Sequence, residues 1–173
     1  GLDYRYRGRL NGVPSAYVIS APWIKLVRPV TGALYHTVNF MSKLLPSLTI
    51  GSDIDETILG NPKLVTGYND DPMTHNKISL QTAIEGFSIG NALYDGKWEK
   101  KGRGCEKPLL LMHGDSDKIC DVNGSRKLAA NEGDICTYVE WPGLYHEIHN
   151  GGPESTGEEV INKIGQWITE TVR

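Results

Sequence analysis

Asp117 and His146 are the two residues whose types and positions could do chemistry together. Asp117 ends the stretch Pro108-Leu109-Leu110-Leu111-Met112-His113-Gly114-Asp115-Ser116-Asp117, and His146 ends Tyr138-Val139-Glu140-Trp141-Pro142-Gly143-Leu144-Tyr145-His146. Each stretch is an apolar run of strand length that stops at a glycine-containing turn and then presents an ionisable group. An imidazole takes and returns a proton near neutral pH, and a carboxylate beside it fixes its tautomer and stabilises its cation. A carboxylate and an imidazole on neighbouring strand ends are two thirds of a nucleophilic triad, in the chain order Asp then His. Losing such an acid costs about 10⁴-fold in turnover. Asp117 could instead form an Asx turn or cap a helix, but Asp115 and Asp121 stand beside it, and a cap needs one carboxylate. His113 and His149 lie at other offsets and are read as bystanders.

The third member of a triad would be a serine on a sharp strand-to-helix elbow. Gly86-Phe87-Ser88-Ile89-Gly90 has the letters of that Gly-x-Ser-x-Gly motif and precedes Asp117 and His146. The motif carries meaning only as strand, strained turn and helix. Residues Ser79 to Glu85 show helical periodicity and no β-branched run, and no further strand fits between Ser88 and Leu109. Ser88 is therefore read as a decoy.

The elements that must position Asp117 and His146 follow from the pattern. Residues 1–9 look like the end of a helix stopped at Gly8, and Ser15–Ser20 reads as a buried strand. Leu34, Val38, Met41 and Leu45 form one helical stripe, and Pro46 ends that helix. Thr49 to Asp71 is turn-rich, punctuated by Gly51-Ser52-Asp53, Gly60-Asn61-Pro62 and Asn69-Asp70-Asp71-Pro72. A helix is expected from about Lys77 to Leu93, then a strand at Leu109–Met112 and a helix over Val122–Ala130. A strand at Thr137–Trp141 and a closing helix from Gly157 to Thr171 complete the pattern. Strand, long insertion, strand–helix, strand–helix is the tail of a parallel α/β sheet. The insertion exceeds an ordinary crossover and reads as a helical cap over the strand ends, where ligands of such sheets bind.

At 173 residues the chain is one domain or a large piece of one, and its net charge of −3 offers no general attraction to nucleic acid. Tyr4-Arg5-Tyr6-Arg7-Gly8-Arg9 alternates cations with aromatics, but it is short and reads as the solvated end of a surface helix. Cys105, Cys120 and Cys136 match no zinc spacing, and three thiols cannot all pair with one another. His146-Glu147-Ile148-His149 is one residue short of the metalloprotease helix motif, so no metal and no cofactor are assigned. Asn123-Gly124-Ser125 fits a glycosylation acceptor only by chance in a turn. No apolar run approaches the ~20 residues of a membrane span, and no leader is recognised, so a cytoplasmic location is expected. Gly1 in place of Met points to a start that is processed, engineered or cut.

With these residues in hand, the chain resembles the C-terminal part of a monoacylglycerol lipase or lysophospholipase of the α/β-hydrolase superfamily. The matching segments are Tyr17–Pro22, Asp71-Pro72-Met73, Leu109–Asp121 and Pro142–His149. The resemblance implies an α/β-hydrolase core over residues 1–22 and 101–173, and a helical cap over 23–100 that admits a monoacyl chain. It implies Asp117 and His146 as acid and base, and a nucleophile a few residues upstream of Gly1. The expected substrate is a small lipid ester. The expected partners are the missing N-terminal part or a second copy, with at most transient membrane-surface contact through the cap. Residues 1–173 alone are then expected to be nearly inert, since losing a triad nucleophile costs on the order of 10⁶ in turnover. The same Asp–His frame also serves thioesterases, acyltransferases and other esterases. The alternative from another class is a non-catalytic module that binds a ligand or partner.

Overall fold

The computed structural model describes residues 2–7, 14–51, 54–61, 70–98, 103–150 and 152–172. Its centre is the strand β4 (Leu109–Gly114), flanked by β1 (Tyr17–Ser20) and β5 (Cys136–Trp141), both parallel to it. All six residues of β4 are buried, as a strand covered on both faces and both edges must be. Side chains alternate across a strand, and here the alternation sorts the core in two. Leu109 and Leu111 join Tyr6, Tyr17, Ile24, Leu93 and Leu128 on one face. Leu110 and Met112 join Leu144, Ile148, Val160 and Trp167 on the other. The first face is covered by α1 (Leu2–Arg7), α4 (Leu80–Tyr94) and α5 (Val122–Glu132), the second by α6 (Glu154–Thr171).

Between β1 and β4 the chain forms α2 (Gly32–Leu44), β2 (Thr49–Gly51), α3 (Glu56–Leu59), β3 (Lys77–Ser79) and then α4. This corrects the sequence reading twice. Lys77–Ser79 is a strand, paired antiparallel with β2, and the turn-rich stretch after Thr49 contains that strand and a short helix. Three-residue strands carry too little periodicity to be seen in sequence. Ser79 ends β3 and caps α4, its hydroxyl accepting from the Thr82 amide at 3.2 Å, so the helix begins three residues later than expected. The stripe expected on α2 is not a packed seam: Val38 and Met41 are half-buried, while Leu34 and Leu45 are 53 % and 50 % exposed. Gly8, Ser52, Asp53, Pro62 and Asn69, read above as a helix stop and turns, lie outside the described residues.

The reading of Arg5 and Tyr6 as part of a solvated helix end is also corrected. Arg5 is wholly buried and Tyr6 nearly so. The Arg5 guanidinium donates to the carbonyls of Gly104, Cys105 and Lys107 and to Glu132 Oε2 at 2.8 Å, while the Tyr6 hydroxyl donates to Glu132 Oε1 at 2.8 Å. A buried guanidinium is tolerable because its planar fork of donors finds an acceptor on several sides. The arginine ties α1 to the approach to β4 and to the end of α5.

Candidate active site

The loops after β4 and β5 leave the same end of the sheet, and hydrogen bonds join them. The amide of Asp115 donates to the Trp141 carbonyl at 3.1 Å, and that of Ser116 donates to the Leu144 carbonyl at 3.0 Å. Gly143, at φ +73°, donates its amide to Asp115 Oδ1 at 2.7 Å. Such a φ is the left-handed region that favours glycine. Gly114 meets a different requirement. A Cβ built there would lie 2.2 Å from the Leu144 carbonyl oxygen and 2.5 Å from that of Tyr145. The β5 loop can rest against the end of β4 only because residue 114 has no side chain. On the other side, the amides of Val27 and Asp121 donate to the carbonyls of Ile119 and Lys25, so the chain after β1 buttresses the Asp117 loop.

Held this way, Asp117 and His146 meet. His146 Nδ1 lies 2.8 Å from Asp117 Oδ2. The carboxylate is fully buried, while the imidazole side chain is 25 % exposed. Its other oxygen, Oδ1, accepts from the amides of Ile119 at 2.7 Å and Cys120 at 3.0 Å. Capping of α5 falls to Asp121, whose Oδ1 accepts from the Asn123 amide. Burial opposes the charge on Asp117. Hydrogen bonds from His113 and His146, the charge of His146 and the Ile119 amide overcome it, holding the carboxyl below its ordinary range. An ionised Asp117 makes His146 donate through Nδ1, leaving the Nε2 lone pair to take a proton from a nucleophile.

His113, read from sequence as a bystander, is part of this arrangement. It is wholly buried, with Nε2 3.0 Å from Asp117 Oδ2 and Nδ1 2.7 Å from Ser125 Oγ. Strand parity was the signal for it. Residue 113 shares a face with Leu109 and Leu111, the face covered by α5. Ser125 stands one turn before Leu128, the residue by which α5 enters the core.

Ser88 lies in the middle of α4, inside continuous helix rather than on a strand-to-helix elbow. The glycines around it answer to packing. A Cβ on Gly90 would sit 2.4 Å from the Ile24 carbonyl oxygen, and one on Gly86 would press on the Trp23 ring at 3.1 Å.

Asp117, Cys120 and His146 offer ligand atoms within 4.8 Å of one another. Both oxygens of Asp117 already accept two hydrogen bonds each. Burial, and then the Asp117 charge, push the Cys120 thiol up to about 12, so it stays protonated. The donor set suits proton transfer better than cation binding.

Comparison with known proteins places this geometry in a family. The pattern of the family described as serine aminopeptidase, S33 (Hydrolase_4) matches residues 5–152. A monoacylglycerol lipase of Mycolicibacterium smegmatis is 28% identical over 170 residues, covering 97% of this chain and 58% of the relative. The crystal structure of Paleococcus ferrophilus monoacylglycerol lipase superposes with a TM-score of 0.83 at 25% identity, covering 98% of this chain and 63% of that one. A soluble variant of monoglyceride lipase from Saccharomyces cerevisiae, solved with a substrate analogue, shares the fold with a TM-score of 0.83 at 24% identity, covering 99% of this chain and 58% of its own. The chain thus spans about three fifths of the length of each. It belongs to the serine aminopeptidase, S33 family, as a monoacylglycerol lipase-like α/β-hydrolase.

Proposed function

We propose that this chain supplies the acid and base of a serine carboxylic-ester hydrolase of monoacylglycerol lipase or lysophospholipase type, which releases a fatty acid from a monoacyl lipid ester. The observation that carries the reading is the 2.8 Å contact of His146 Nδ1 with the buried Asp117, at the carboxyl ends of adjacent parallel strands. In this mechanism a serine hydroxyl attacks the ester carbonyl while His146 Nε2 takes its proton. The imidazolium, stabilised by Asp117, returns the proton to the leaving alcohol. Water then attacks the acyl-serine, with His146 again as base.

The nucleophile is placed upstream of Gly1, following the chain order Ser, Asp, His of this fold. Residues 23–100 are assigned to a cap, and 1–22 with 101–173 to the hydrolase core. Exposed Leu34, Phe40, Leu44 and Leu45 suit a cap that meets an acyl chain or a lipid surface. Among the described residues no helix is long and apolar enough to cross a membrane. Cys120 and Cys136 are unbridged thiols, which fits a reducing compartment such as the cytoplasm.

The test is a phosphonate activity probe on the full-length protein that carries this chain, followed by peptide mapping. Label on a Gly-x-Ser-x-Gly peptide upstream of Gly1, lost in Asp117→Asn and His146→Ala, is the expected result. Label on the Gly86–Gly90 peptide, or none with a monoacylglycerol left intact, would refute it.

A further inference from the structure

We propose that His113 is a positioning residue for the acid–base pair: with Ser125 locking its far nitrogen, its ring presents Nε2–H to the same carboxylate oxygen that receives His146. The assignment rests on the reading of Asp117 and His146 as acid and base.

The hydrogen-bond inventory leads to it. An ionised carboxylate only accepts, so both rings facing Asp117 Oδ2 must donate, His146 from Nδ1 at 2.8 Å and His113 from Nε2 at 3.0 Å. With Nε2 protonated, His113 Nδ1 is the acceptor, and Ser125 Oγ at 2.7 Å must be its donor. The Cys120 carbonyl, 3.2 Å from His113 Nε2, can only accept, and so favours the same tautomer. A serine hydroxyl rotates to suit, but a ring with no exposure has no water to replace either partner. Each link therefore fixes the next, from Ser125 through His113 and Asp117 to His146.

Two consequences separate this role from simple packing. The two amides on Oδ1 fix one end of the carboxylate, whereas among the described residues Oδ2 is held by the two rings. Without His113, Oδ2 keeps a single partner among the described residues, and that partner is the part-exposed base. The buried anion also loses one of its four donors, and with it part of the field that stabilises the imidazolium formed during the reaction.

The experiment compares His113→Leu, His113→Gln and Ser125→Ala in the full-length protein that carries this chain. Monoacylglycerol hydrolysis is measured beside ¹⁵N-imidazole NMR of His146 and His113. Leucine is expected to lower kcat on the order of 10- to 100-fold with KM unchanged, the usual effect of an outer support on a ligating or catalytic group. It is also expected to turn His146 from a single Nδ1–H tautomer into a mixture. Glutamine, which keeps an N–H donor, restores most of both. Ser125→Ala, the milder variant, is expected to leave His113 folded in place but in mixed tautomers. A folded His113→Leu protein with kcat within about twofold of the parent, or with His146 still in one tautomer, overturns the proposal. So does an unchanged His113 spectrum in Ser125→Ala. If the parent protein hydrolyses no ester, the esterase reading fails, and the tautomer comparison still decides the role of His113.

Discussion

Replacing Gly114 by alanine tests whether Asp117 and His146 meet because a strand end and a loop touch without a side chain between them. The added Cβ would stand 2.2 Å from the Leu144 carbonyl oxygen and 2.5 Å from that of Tyr145, where real Cβ atoms essentially never come closer than 3.0 Å. The obstacle is backbone on both counts, so no rotamer change relieves it. The β5 loop must retreat from β4 by about an ångström, at the 1–3 kcal/mol typical of overpacking. The bond from the Ser116 amide to Leu144 stretches with it, and His146 lies two residues further along. For a domain of this size each kcal/mol lowers Tm by roughly 2–4 °C, so a fall of about 2–12 °C is expected in a thermal melt followed by circular dichroism. A misplacement of 1 Å at the reacting groups costs on the order of 10²-fold, and on the proposed esterase reading kcat should fall by that much. A Gly114→Ala protein with the parental Tm and turnover would refute the reasoning, because the loop would then have room the structure denies it.

Other perturbations have signs fixed by the same structure. Asp117→Asn should lower turnover about 10⁴-fold by destroying the Nδ1–H tautomer of His146. Asp117 also makes stability pH-dependent: its folded carboxyl lies below the ordinary 3.8, so its contribution is present above that value and lost as pH falls below it. Urea midpoints measured from about pH 6 downward should therefore fall on the acid side, and Asp117→Asn should flatten that limb; a parallel fall in both proteins contradicts the assignment. Gly90→Ala and Gly165→Ala should move stability in opposite directions. The first meets the Ile24 carbonyl oxygen at 2.4 Å; the second meets nothing within 4 Å on an exposed turn of α6 and should gain about 0.5–1 kcal/mol from helix propensity. Chemical denaturation checks both, and a shared sign would be wrong. Arg5→Met, which removes the buried Arg5–Glu132 ion pair, should cost about 3–5 kcal/mol, with a loss under about 1 kcal/mol counting against the ion pair as a fold determinant.

What was legible in sequence was what repeats or what stops sharply. The unbroken apolar run before Gly114 announces a strand buried on both faces, and the glycine turns after Met112 and Trp141 mark the strand ends where the site lies. Asp117 and His146 could be paired because each follows such an end. His113 was missed because an offset was compared with an offset, when the parity of β4 was the relevant measure. Arg5 and Tyr6 were misread because a cation beside aromatics resembles a solvated face until the chain delivers acceptors from residues 104, 105, 107 and 132. Those partners lie about a hundred positions away, beyond any local pattern. The strands β2 and β3 pair with each other, and neither is long enough to declare a period.

The cradle around Asp117 draws its donors from positions 113, 119, 120 and 146, a contiguous span of 34 residues. Short loops close at low entropic cost, so the cradle can gather its donors from one local stretch of chain. The contact of Asp117 with His146 is therefore written mostly in neighbouring chain, with the backbone of Lys25 and Val27 bracing it from outside that span.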